Sequence, residues 1–220
     1  MIDFESKAEF DEAIKEIVIL ITYAKKNKKS SNKYAIFNKA SIVLLCAKFE
    51  AFIEEFLEDY AFKHMKNSSN KELDSFIYEH IIDIIVSDLE LKKSDKSKRK
   101  ICIQEIVSLC SEVEIKPVEN FRIKAKFNYG KHGQDEVKRL LTAFGFKEFA
   151  EDETTKLFFN KFNGLNNIRN NIIHEDATPS LTHQDVEDYM KIMNDFVQNL
   201  TRLGIQKLEP LLKTKPILNE

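Results

Sequence analysis

The sequence predicts an all-α protein: a helical bundle built around one long central helix and interrupted by an irregular insertion. Three observations predict it. Apolar residues recur at three- and four-residue spacing along most of the chain, the period that gathers them on one side of a helix. Five glycines and four prolines in 220 residues are too few for a chain folded through many tight turns. The stretch from about residue 32 to 66 is apolar around most of its circumference, as a helix packed on several sides must be.

The first helix is predicted to open at Ser6 and Glu9, spaced as a capping box, to carry Phe10, Ile14, Ile17, Val18 and Ile21, and to end in the polar run 25–32. The central helix follows, with Phe37, Ile42, Leu45, Phe49, Phe52, Ile53, Phe56 and Leu57 among its apolar set. Asn67, Ser68, Ser69 and Asn70 break that pattern and cap a third helix through Phe76, Ile77, Ile81, Ile84, Ile85 and Leu89. Residues 92–100 read as a charged connector before a fourth helix reaching about residue 112. Residues 113–118 and 121–127 alternate like strands but have no sheet to join, so 113–133 reads as an extended insertion. Helices over about 134–144, 153–175 and 182–203 complete the chain. Thr182 and Asp185 are spaced to cap the last, Pro179 stops the one before it, and Pro210 and Pro216 mark a loose tail. The reading is one domain, 1–205, with a tail over 206–220.

A formal charge of −2 supplies no global field to attract nucleic acid, so any attraction must be local. The lysine runs at 25–29 and 92–100 are either phosphate-tracking or simply solvated, and Glu54 and Glu55 are expected in solvent. Cys46, Cys102 and Cys110 lack CxxC spacing and sit in apolar helical surroundings, which predicts buried, reduced thiols and a cytoplasmic protein. No apolar run approaches the roughly 20 residues of a membrane span, and the acidic start does not resemble a signal peptide. His64, His80, His132 and His183 are scattered with no partner at metal-ligand spacing, and the loop 128–133 lacks phosphate-loop spacing, so neither metal nor cofactor is expected.

Chemistry concentrates in one place. Arg169, Asn170 and His174 lie on a single helix, with Asn170 and His174 sharing a face at i, i+4 and Arg169 one residue aside, while Ile168, Ile172 and Ile173 are expected to seat that helix in the core. A guanidinium grips phosphate oxygens in a planar fork, an imidazole moves protons near neutral pH, and an amide orients either. The bland alternative is a surface helix end whose arginine pairs with Glu175 or Asp176. Glu50 is read either as orienting Arg169 or His174 across the helix packing or as a core-edge glutamate paired for structural reasons.

These residues resemble the HEPN superfamily of small helical proteins, whose signature is an arginine, a polar residue after it, and a histidine four to six positions on; Arg169, Asn170 and His174 fill those places. Residues 40–60 look like the long second helix of the RiboL-PSP branch, where a glutamate follows a phenylalanine on the inner face, here Phe49 and Glu50. Residues 127–133, followed by a short helix ending at Phe144, Gly145 and Phe146, are similar to that branch too, so the resemblance covers roughly residues 8–203. It implies a HEPN-like helical bundle and a metal-independent endoribonuclease acting on RNA through Arg169, Asn170, His174 and Glu50. The implied setting is the effector of a bacterial toxin–antitoxin, abortive-infection or antiphage system, with an antitoxin or regulatory protein as a further partner. The alternative is a non-catalytic helical module that binds RNA or a partner protein. Metal-free RNA cleavage needs a base, an acid and positive charge on the phosphorane, and one motif histidine is thin for both proton transfers. A two-fold homodimer with a composite site would supply two, and the resemblance implies the same arrangement.

Overall fold

The computed structural model describes residues 2–111, 121–128, 132–175 and 180–213. Among them are eight helices and no strand: α1 (Glu5–Lys26), α2 (Ser31–Asn67), α3 (Ser75–Leu91), α4 (Lys96–Leu109), α5 (Gln134–Ala143), α6 (Lys147–Glu151), α7 (Glu153–His174) and α8 (His183–Lys213). At 37 residues, α2 is about 55 Å long and forms the axis on which α1, α7 and α8 pack.

The phenylalanines explain the cohesion of the bundle. Phe49 of α2 lies 5.4 and 5.1 Å, ring to ring, from Phe158 and Phe162 of α7, and 5.8 Å from Phe196 of α8. Lower on α2, Phe56 meets Phe4 at 4.7 Å and Phe146 at 5.8 Å. Each such buried ring contributes about 1.5–3 kcal/mol through area removed from water. Gly204 lets α8 approach this stack, since a Cβ there would lie 2.7 Å from Phe56 Cζ. Gly145, at φ 79°, ends α5 in a Schellman turn, with Phe146 N–H donating to Leu141 O and Gly145 N–H to Thr142 O. That turn sends Phe144 and Phe146 into the core on either side of it.

Several boundaries differ from the sequence reading. Helix α1 starts at Glu5, one residue before the expected cap; Ser6 is buried inside it with an unpartnered hydroxyl, because burial of the whole Phe4 ring sets where the helix enters. Asp95 accepts from Ser97 and Lys98 N–H at 3.0 and 3.1 Å, which starts α4 inside the expected charged connector. Helix α8 runs ten residues past Leu203 and through Pro210, so residues 206–213 are helix and not loose tail; buried Leu208 anchors the extra turns. The Thr182–Asp185 capping box does form, with Thr182 N–H on Asp185 Oδ2 at 2.8 Å and Asp185 N–H on Thr182 Oγ1 at 3.2 Å. Cys46 and Cys102 are buried as expected, but Cys110 is exposed at the end of α4 beside the Tyr78 hydroxyl. The expectations placed on Pro179, Pro216 and residues 112–120 fall outside the described residues.

Where α2 ends, Ser68, His64 and Asp74 line up like a nucleophile triad: His64 Nδ1 is 3.0 Å from Ser68 Oγ and Nε2 is 3.2 Å from Asp74 Oδ2. The Ser68 hydroxyl, however, donates to His64 O at 2.8 Å, and Ser68 and His64 are each 2% exposed. No substrate can reach them, and the group acts as a clamp fixing the α2–α3 turn.

Candidate active-site cleft

The strand-like alternation at 121–127 has a helical partner in place of a sheet. Ile123 and Ala125 turn inward and are buried, while Arg122, Lys124 and Lys126 face out. Ala125 N–H donates to Glu58 Oε1 at 3.1 Å and Phe127 N–H to Glu54 Oε1 at 2.8 Å. Two residues of extended chain rise about 6.6 Å and four residues of helix about 6 Å, so alternate N–H groups match carboxylates one turn apart on α2. Glu54 therefore holds backbone and is not the solvated side chain expected. One turn further along, Glu50 meets His132, with Oε2 3.3 Å from Nδ1.

This docking closes one side of an open cleft of about 1080 Å³, whose lining includes Phe127, His132, Arg139, Asn166, Arg169, Asn170 and His174. Its opposite wall is α7, which starts under the Asp152 cap. The buried face of α7 runs Thr155, Phe158, Phe159, Phe162, Leu165 and Asn166; the same three-and-four spacing continues as Arg169, Asn170, Ile173 and His174, so the core stripe turns polar where it leaves the bundle. Ile173 is exposed and lines the cleft, whereas Ile168 and Ile172 pack on the core.

Three of the four sequence-predicted site residues thus share one cleft. Arg169 is half-buried and donates from Nη1 to Asn170 Oδ1 at 2.9 Å; His174, the last residue of α7, is exposed. Glu50 lies behind the wall and is not among the lining residues. Its Oε1 is buried without a hydrogen-bond partner, and burial raises its pKa above the ordinary carboxylate value against the opposing pull of His132 and Arg169. Cys46, one turn before Glu50, is pushed up to about 12 by burial and then by the Glu50 charge, which excludes it as a thiolate nucleophile. The lysine runs at 25–29 and 92–100 contribute nothing to the lining.

Sequence reasoning missed His132, Asn166 and Arg139. Asn166 sits one turn before Asn170 with Oδ1 buried and unpartnered, a position the i, i+4 stripe could have marked. Arg139 is committed locally, donating to Glu136 Oε1 at 2.8 Å and to Lys126 O at 3.0 Å. The lining counts two guanidiniums, Arg139 and Arg169, against the carboxylates of Glu54, Asp135 and Glu136. Arg169 is held by a neutral amide, whereas Arg139 is paired with a carboxylate.

The chain matches the RiboL-PSP-HEPN family over residues 8–203. It belongs to that family. The eight-helix bundle agrees with the helical architecture of HEPN domains, and the family indicates a nuclease or RNA-related module. HEPN domains often bind RNA and dimerise. No curated protein and no solved structure matches the chain. No helix among the described residues is long and apolar enough to cross a membrane.

Proposed function

We propose that this HEPN protein is a metal-independent endoribonuclease that cuts RNA by attack of a ribose 2′-hydroxyl on the adjacent phosphate, leaving a 2′,3′-cyclic phosphate and a free 5′-hydroxyl. The observation that carries the reading is the convergence of Arg169, Asn170 and His174 on one cleft, with the Arg169 guanidinium oriented by the Asn170 amide. Arg169 stabilises charge on the phosphorane, Asn170 fixes the plane of its fork, and His174 transfers a proton. Two copies pair through the exposed end of α7, where Ile173 and His174 stand in solvent, and bring two motifs to one RNA. The biological setting is the effector of a toxin–antitoxin, abortive-infection or antiphage system, restrained by an antitoxin or regulatory protein.

The test is cleavage of bulk cellular RNA by the purified chain in EDTA. His174→Ala and Arg169→Ala each lower cleavage about 10²-fold or more, and Asn170→Ala costs less because it orients without reacting. Full activity in a His174→Ala chain with wild-type circular dichroism removes the assignment. A chain that binds RNA but never cuts it is the non-catalytic module instead.

A further inference from the structure

His132 belongs to the same cleft as His174, yet the arginine-to-histidine motif does not include it. Its ring is held on two sides. It stacks on Phe127 with centroids 5.9 Å apart and planes 21° apart, and Phe127 is itself pinned through its N–H to Glu54. Nδ1 is shielded from solvent and lies 3.3 Å from Glu50 Oε2, within ion-pair reach though not aligned as a hydrogen bond. Contacts of this kind commonly tighten when substrate arrives. Because Glu50 stands behind the wall and His132 forms part of it, Nε2 is the ring nitrogen left for a ligand.

A carboxylate behind one nitrogen selects the tautomer with a proton on that side and a lone pair on the other, and it stabilises the imidazolium formed on proton uptake. Resting on the endoribonuclease reading, we infer that His132, positioned by Glu50, is the general base of the cleft and that His174 is the general acid. His132 Nε2 takes the proton of the ribose 2′-hydroxyl as O2′ bonds to phosphorus. The P–O5′ bond breaks, its electron pair stays on O5′, and His174 supplies the proton that O5′ needs. Each chain then carries one base and one acid in its own cleft.

The leaving group separates the two roles. The cut is first mapped on bulk cellular RNA in EDTA; a short RNA spanning it is then made in two forms, one normal and one with sulfur in place of the bridging 5′-oxygen. A thiolate leaves without a proton, so the second form needs a base but no acid. On normal RNA, His132→Ala and His174→Ala each lose about 10²-fold or more in kcat. On the sulfur-bridged RNA, His174→Ala recovers to within about tenfold of wild type, while His132→Ala stays about 10²-fold down, as a base variant must. Glu50→Gln lowers kcat on both substrates with KM nearly unchanged, the signature of a positioning residue acting through His132. Circular dichroism confirms the fold of each variant. Wild-type rates from folded His132→Ala on both substrates overturn the inference and leave the endoribonuclease reading standing, as does rescue of His132→Ala in place of His174→Ala. Absence of cleavage of bulk RNA by the wild-type chain overturns both.

Discussion

Glu50→Gln separates function from stability, because the two responses carry opposite signs. The Glu50 carboxylate, carried on α2, has one oxygen buried and unpartnered, and burial lifts its pKa above the ordinary value. A carboxylate raised in the folded state contributes stability below its unfolded value, near 4.3, and that contribution is lost as pH rises through the folded value. At pH 8 ionised Glu50 therefore weighs against the fold. An amide of the same shape removes that cost but also the pairing with His132 at 3.3 Å, and because burial outweighs the pull of His132 and Arg169 the net is a gain, on the order of 1 kcal/mol as for a single stabilising substitution. For a chain of 220 residues this raises the melting temperature by about 2–4 °C. Followed by circular dichroism, the gain is present at pH 8 and disappears toward pH 4, where protonated glutamate and glutamine are alike, and RNA cleavage falls. A melting temperature that drops at pH 8 refutes the burial argument and returns Glu50 to the ordinary structural ion pairs.

The Asp74 carboxyl is held below its ordinary value of 3.8, first by its hydrogen bond to His64, so its contribution is present above that value and is lost as pH falls through the folded one. Asp74→Asn accordingly melts earlier than wild type at pH 7, and thermal scans show the difference shrinking as pH falls below the ordinary carboxylate value. Gly204→Ala places a methyl 2.7 Å from Phe56 Cζ in a fully buried stack and costs about 1–3 kcal/mol, read as a drop in urea midpoint; an unchanged midpoint shows that the ring can move aside. Mixing inactive His174→Ala chains into wild type reduces activity only in proportion to wild-type content if each chain carries its own acid and base, and more steeply if two chains share one site. Steeper loss in a mixture shown by light scattering to be dimeric restores the composite arrangement.

The bundle was legible because helix periodicity is a local signal. The widely apolar face of α2 announced a central helix, and the Phe49-to-Leu57 repeat is the one that packs against α1, α7 and α8. Ends were less legible, since they are decided at a distance: Phe4 starts α1 by burying against Phe56, and buried Leu208 carries α8 through Pro210. The site divided in the same way. Arg169, Asn170 and His174 lie on one helix, so their spacing already marked them as a group that the structure places in one cleft. His132 lies on another segment and joins them where it meets Glu50, one turn along α2 from Glu54 and two from Glu58, which hold the Phe127 and Ala125 N–H groups. Sequence spacing within α2 marks those three glutamates as a row but says nothing about which N–H groups will meet them.

Hydrogen bonds also occupy two of the three carboxylates that outnumber the guanidiniums in the cleft lining. Glu54 is occupied by the Phe127 N–H, and Glu136 by Arg139 and the Asn128 N–H, whose hydrogen bonds hold its pKa low. Both charges are thus directed at the wall and away from a ligand, and Arg139 is neutralised in the process. Arg169 differs because its hydrogen-bonded partner is an amide. An amide fixes the guanidinium plane without the neutralisation of a direct carboxylate pair, so in the proposed reaction Arg169, although it also feels the Glu50 charge, is the cation left to meet a phosphorane. Asn170→Asp tests this directly: the fork keeps its acceptor, but a carboxylate now competes with phosphate. RNA affinity measured at 0.1 M salt should fall at least as far as in Asn170→Ala. A variant that binds RNA as tightly as wild type would mean that the phosphate is held by something other than Arg169.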